Sequence, residues 1–179
     1  MNGSGNGDAG LKLTKGTPVV SLADGTKLGT IDHVYLDPAR QEIVGFSFHQ
    51  GGGLFGAKTG GLIDVADVHA IGPDAVTVAD ASAVRSELAI GARGDALVDL
   101  EDLLKRKVMT AGGAYVGQVA SIQFGQDSYR LTRIDVAVGA FHADEPIDAA
   151  EIDQIGAELI VVADAVLGSA PGRVMVTVG

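Results

Sequence analysis

The sequence predicts an all-β chain: two small tandem β-barrels with short helical linker segments. Three observations carry that expectation. The chain has 179 residues, enough for one medium domain or two small ones. Hydrophobic residues make up 46% and glycines number 26, a balance that supports a packed core built from short elements and tight turns. The third observation is an internal repeat. A shift of 88 positions lays Ala23, Gly25 and Gly29 on Ala111, Gly113 and Gly117. The apolar positions follow in step: Ile31 on Val119, Val34 on Ile122, Leu36 on Phe124, Phe46 on Ile134 and Phe48 on Val136. After a four-residue deletion the shift becomes 84, and Ile63-Asp64, Ile71-Gly72 and Val78-Ala79-Asp80 fall on Ile147-Asp148, Ile155-Gly156 and Val162-Ala163-Asp164. Glycines and apolar positions in one order across a whole unit mark a duplicated module.

Residues 1–10 lack a basic n-region and an apolar h-region, so they read as a flexible tail, not a secretory signal. Residues 11–80 form the first expected barrel. Asp24-Gly25 is a strong turn dipeptide, and Gly113 repeats the glycine that such a turn needs at positive φ. Phe46 and Phe48 alternate with Gly45 and Ser47, and Ile134, Val136 and Val138 alternate with Arg133, Asp135 and Ala137. That is the period of a strand with one buried face. Ile31, Val34 and Leu36 step by three and then two, as do Val119, Ile122 and Phe124. The shared slip predicts a bulge, the bend a small barrel uses to close. Pro18, Pro38, Pro73, Pro146 and Pro171 are expected at strand starts or turns.

Residues 81–99 read as a linker, with a short helix from Ser82 to Ala89 capped by Ser82 and a helical turn around Leu100, Leu103 and Leu104. Residues 100–165 form the second expected barrel. Residues 166–179 supply a turn and a last strand, Val174 to Val178, that would pair with an exposed edge within the chain or across a homodimer.

The stretch Gly16-Thr-Pro-Val-Val-Ser-Leu-Ala-Asp-Gly-Thr-Lys-Leu-Gly-Thr-Ile-Asp-His-Val-Tyr-Leu-Asp, followed by Glu42-Ile-Val-Gly-Phe, Ile63 to Gly72 and Val76-Thr-Val, resembles the PRC-barrel family. Glu101 to Thr110, Gly113, Gly117 and Ile147 to Gly156 resemble the same domain. The resemblance covers roughly residues 12–80 and 100–165 and implies two PRC-type barrels of six strands each. It also implies an adaptor in assembly or regulation. Family members include the barrel of the photosynthetic reaction-centre H subunit and the C-terminal domain of the ribosome maturation factor.

The chain offers little catalytic chemistry. It has no cysteine, which removes disulfides and thiolate sites. Thirteen Lys and Arg stand against 23 Asp and Glu, a net charge of −10 that repels phosphate backbones, so no nucleic-acid partner is expected. Gly51 to Thr59 nearly spells a phosphate-binding loop, but glycines and a β-like run follow it where a helix is needed. Its apolar tip, Leu54 and Phe55, reads instead as a candidate partner-docking loop. His33, His49, His69 and His142 show no metal-ligand spacing. Asp64/Asp67 and Asp148/Glu151 recur in both copies and read as caps of a short turn. Ser21, Ser47 and Ser121 lack a nucleophile elbow, and Lys105-Arg106-Lys107 reads as a solvated patch at a strand start.

No run reaches the ~20 apolar residues of a membrane span; the nearest, Leu159 to Leu167, is interrupted by Asp164. The expected protein is a cytoplasmic, non-enzymatic adaptor without cofactor or metal. It would bind a protein partner through barrel edges and loops. The alternatives are a ribosome-maturation-like factor contacting a ribosomal protein, and an accessory protein of a photosynthetic or electron-transfer complex.

Overall fold

The computed structural model describes residues 15–50, 60–85, 97–139 and 142–169. The chain divides into two compact units. The first comprises residues 1–101 with 123–131, and the second comprises 102–122 with 132–179.

In the first unit the strands are β1 (Pro18–Ser21), β2 (Lys27–Asp37), β3 (Glu42–His49), β4 (Gly60–Asp64), β5 (Val68–Ile71), β6 (Val76–Val78), β7 (Val84–Arg85) and β8 (Val98–Asp99). They form one sheet in the order β5-β6-β1-β2-β3-β4-β7, with β8 added on β2. All these pairings are antiparallel except β1 with β6, where Val19 faces Val76 in parallel. The ends of the six-strand path explain its curvature. β4 and β5 lie at opposite ends of the order β5 to β4, yet only the 3-10 turn Val65–Asp67 separates them. Four Cα steps reach at most about 14 Å. Six flat strands would hold those ends about 24 Å apart. The sheet must therefore curl until its ends meet, around a core of Val19, Ile31, Val34, Phe46, Ile63, Val76 and Val78, each nearly or wholly buried. Side chains of this kind stabilise by about 1.5–3 kcal/mol each when buried.

The expected bulge is present in β2, whose register against β3 shifts between Ile31 and His33 and again between Tyr35 and Leu36. Gly25 turns β1 into β2 at φ 70°, and Asp24 Oδ1 fixes the turn by accepting from the Thr26 backbone N–H at 3.2 Å and hydroxyl at 2.9 Å.

In the second sheet the strands are β9 (Lys107–Thr110), β10 (Tyr115–Phe124), β11 (Leu131–Ala137), β12 (Glu145–Asp148), β13 (Ile152–Ile155) and β14 (Leu159–Val162). Their order is β12-β11-β10-β9-β14-β13. Read in sequence terms this is the order of β1 to β6: first strand parallel to last, fourth and fifth at the ends, a 3-10 turn (Ala149–Glu151) between those two. The same distance argument closes it, around Val108, Val119, Ile134, Val136, Ile147, Ile160 and Val162. The tip that joins β10 to β11, residues 123–131, groups with the first unit.

The repeat extends to single atoms. A Cβ on Gly29 would lie 2.5 Å from the His49 carbonyl oxygen, and a Cβ on Gly117 would collide with the Ala137 carbonyl. Positions 49 and 137 are again 88 apart. Only glycine admits that close an approach of neighbouring strands.

Three expectations need correction or limits. No helix starts at Ser82. A 3-10 turn, Ala81–Ala83, is capped by Asp80, which accepts from the Ser82 N–H at 2.7 Å. Val84 and Arg85 then pair with Ile63 and Leu62 on the edge of β4, because a free ladder outweighs helix propensity in so short a segment. The helical turn before β9 is present as α1 (Leu100–Leu103), and a second, α2 (Val166–Ser169), follows β14. Pro146 lies inside β12 rather than at its start, but β12 ends the sheet, where a missing N–H is tolerated. Pro171 and the last strand, Val174 to Val178, lie outside the described residues.

Candidate interaction site

Leu54 and Phe55, and the glycine-rich pattern around them, lie outside the described residues. The strands that carry this loop are described: β3 ends at His49 and β4 begins at Gly60, the two facing each other in register. Beside this root lies an open cleft of about 640 Å³, lined by Lys15, Asp32, Ser47, Phe48, His49, Leu62 and Arg85 with Gly60 and Gly61.

The strand pleat explains the lining. Along β3, Phe46 and Phe48 are buried while Ser47 and His49 are half-buried on the other face. The rim carries both signs of charge. Lys15 Nζ stands 2.9 Å from Asp32 Oδ1, and Arg85 Nε 2.7 Å from Asp67 Oδ2. The Lys15 bond holds the Asp32 carboxyl below its ordinary value, while Lys15 itself is pushed up. Arg85 is likewise raised by its bond to Asp67. His49 Nε2 lies 3.4 Å from the Thr30 hydroxyl. Ser47 Oγ is buried without a hydrogen-bond partner among the described residues.

Next to the cleft, His33 joins two carboxylates. Its Nδ1 contacts Asp99 on β8, and its Nε2 lies 3.4 Å from Asp32 Oδ2. Its ring stacks on Tyr35 at 6.3 Å between centroids. Tyr35 also faces Asp99 in the β2–β8 ladder. Side chain and backbone therefore clasp the same two-residue strand onto the barrel. This clasp leaves no local signature, since His33 and Asp99 are 66 residues apart.

The remaining candidates resolve into structure. Asp64 is buried and accepts from the Ala66 N–H at 3.0 Å, capping the turn Val65–Asp67. Asp67 pairs with Arg85. In the second copy the Asp148 N–H donates to Glu151 Oε2 at 3.2 Å across the corresponding turn. Asp64 and the Asp148/Glu151 pair thus act as caps, while Asp67 serves an ion pair instead. Ser21 is buried at the end of β1, and Ser121 Oγ donates to Asp135 Oδ2 at 2.5 Å. His69 and His142 are exposed. Among the described residues no three His, Asp or Glu side chains converge as a metal site. Lys105-Arg106-Lys107 is only partly a solvated patch. Arg106 is half-buried and donates through Nη1 to the Gly156 carbonyl at 2.6 Å. Lys105, at φ 69°, donates its N–H to Val119.

No helix among the described residues is long and apolar enough to cross a membrane. No curated protein matches the chain. Residues 12–84 match the family model of the PRC-barrel domain. That span contains β1 to β6, the closed six-strand path, and the lining of the cleft at its rim apart from Arg85. The PRC-barrel is a binding fold of the protein-interaction kind. Residues 12–84, the first barrel of the chain, are similar to the PRC-barrel domain.

Proposed function

We propose that this protein is a non-enzymatic adaptor of two tandem PRC-type barrels, residues 11–80 and 100–165, that binds protein partners through barrel rims and loops. The observation that carries this reading is strand addition on the first barrel. β7 pairs along the edge of β4, and β8 pairs along the far half of β2. Each is a two-residue segment of extended chain held by backbone ladder bonds. Adding a strand to a sheet is a general mode of peptide recognition, in which the backbone supplies affinity and adjacent side chains supply selectivity. The clasp of His33 on Asp99 supplies such a side-chain contact at β8. The cleft at the root of the 50–59 loop offers mixed charge to an incoming chain, and Leu54 and Phe55 would add an apolar anchor there.

The test is affinity capture with the full chain and with Leu54→Ser/Phe55→Ser, compared by quantitative mass spectrometry. A partner retained by the wild type and lost by the variant is the expected result. Capture of the same proteins in the same amounts by both would refute docking through this loop.

A further inference from the structure

The tips of the two long hairpins meet in an unusual way. One is the β2–β3 turn, residues 38–42, and the other is the β10–β11 turn, residues 125–130. Both lie in the first unit. The Ile43 N–H donates to the Tyr129 carbonyl at 2.9 Å, and the Leu131 N–H donates to the Gln41 carbonyl at 2.7 Å. Glu42 faces Arg130 between them as an antiparallel bridge. Every member of this set maps onto its opposite by the repeat shift of 88: Gln41 on Tyr129, Glu42 on Arg130, Ile43 on Leu131. The backbones agree as well. Gln41 has φ 55° and Tyr129 has φ 54°, a left-handed conformation that is uncommon for residues other than glycine. Ile43 and Leu131 are both buried beneath the bridge.

A contact in which one surface meets its own counterpart, residue i on j and j on i, is isologous. We propose that the tip at residues 41–43 is a self-recognising docking element. Its cognate ligand is a hairpin of the same design, and in this chain residues 129–131 occupy it. The backbone half of the recognition is identical from either side. Side chains then select the occupant. Arg40 Nη1 lies 3.4 Å from Glu42 Oε1, and the Arg40 carbonyl accepts from Arg130 Nη2 at 3.2 Å, whereas a second copy of the β2–β3 tip would put Glu42 in the place of Arg130, opposite Glu42. Like charges directly opposite in a ladder are unfavourable, and opposite charges favourable. With the resident tip displaced, the tip of a second copy of this chain is the ligand the geometry accepts. This inference does not depend on the adaptor reading, since it concerns only like hairpins.

The chain has no cysteine, so introduced thiols report alone. Facing residues of a non-hydrogen-bonded antiparallel pair lie about 4.5 Å apart at Cα, within disulfide range. In Glu42→Cys/Arg130→Cys the full chain is expected to lose both free thiols in a glutathione buffer and remain monomeric. Two thiols that stay reactive would overturn the pairing itself. The second experiment adds Tyr129→Pro to Glu42→Cys, because a proline fixed near φ −65° cannot hold the resident turn. Disulfide dimers through Cys at 42 are expected to form about tenfold faster or more than dimers through Lys27→Cys in the same background. Equal rates would overturn self-recognition. If circular dichroism shows that the proline variant is unfolded, two glycines inserted after Asp127 displace the tip instead, and the same comparison decides.

Discussion

One added methyl group at Gly29 probes the barrel where two strands come closest. In Gly29→Ala the new Cβ would lie 2.5 Å from the His49 carbonyl oxygen, 2.6 Å from Phe48 Cδ2 and 3.0 Å from the His49 carbonyl carbon. Two of these obstacles are backbone, locked in the β2–β3 ladder by the pairing of Thr30 with His49. The third is the ring of Phe48, which is 2% exposed. Nothing there is the free end of a flexible side chain, so strand or ring must move. Overpacking of this kind costs about 1–3 kcal/mol. The lower entropy of an unfolded alanine chain returns about 0.4–1 kcal/mol. The net is a loss of about 1–2 kcal/mol, which in a domain of this size lowers Tm by about 5–15 °C. Gly60→Ala is the control, since its Cβ would meet only the Phe48 carbonyl at an ordinary 3.5 Å and should change stability by less than about 0.5 kcal/mol. Thermal melts by circular dichroism and urea titrations of the full chain measure both. A Gly29→Ala protein that melts with the wild type would refute the close approach.

Gly117→Ala should produce a comparable loss in the second unit, because it meets the Ala137 carbonyl and the Val136 side chain, the counterparts of His49 and Phe48; hydrogen exchange resolved by residue would show amides of β10 and β11 losing protection. Phe46→Ala removes a wholly buried ring and should cost about 3–5 kcal/mol in chemical denaturation. His33→Phe keeps the stack on Tyr35 but releases Asp99, so amides of residues 98–101 should exchange faster while the β1 amides do not; unchanged exchange at 98–101 would refute the clasp. Asp164 accepts from the Gly112 N–H at 2.8 Å and from the Thr110 hydroxyl, which hold its carboxyl below the ordinary carboxylate value. A depressed folded pKa gives stability that is present above the unfolded value and lost as pH falls through the folded one. Asp164→Asn should therefore flatten the decline of stability on the acid side of about pH 4 and leave the curve between pH 6 and 8, roughly, with the same slope.

The features legible in the sequence are those with a local physical signature. Gly25 and Gly113 announce turns because few other residues reach their φ. The slip from Ile31 to Val34 announces the bulge because a strand cannot change its period without one. Asp64 and Asp148 announce the caps of a 3-10 turn through their spacing from Asp67 and Glu151. The features that were not legible are long-range backbone pairings. Parallel β1 and β6 meet across 57 residues at Val19 and Val76, and backbone bonds leave no residue code. The exchange of bonds around Glu42 and Arg130 is hidden for the same reason, although the repeat shift does make the two tips equivalent. Ser82 is a good N-cap residue, but the open edge of β4 draws Val84 and Arg85 into a ladder instead. Apart from the loop tip, the candidate site was not readable, since Lys15, Asp32, Ser47 and Arg85 come from four separate segments.

The account rests on one module built twice, each copy closed by a parallel contact between its first and last strands. Nuclear Overhauser contacts between strands in the isotope-labelled full chain test this most directly. The account predicts parallel-strand cross-peaks around Val19 with Val76 and Thr77, and an equivalent set around Val108 with Ile160 and Val161. Cross-peaks of an antiparallel pattern at either place, or a parallel set in one unit and none in the other, would contradict it.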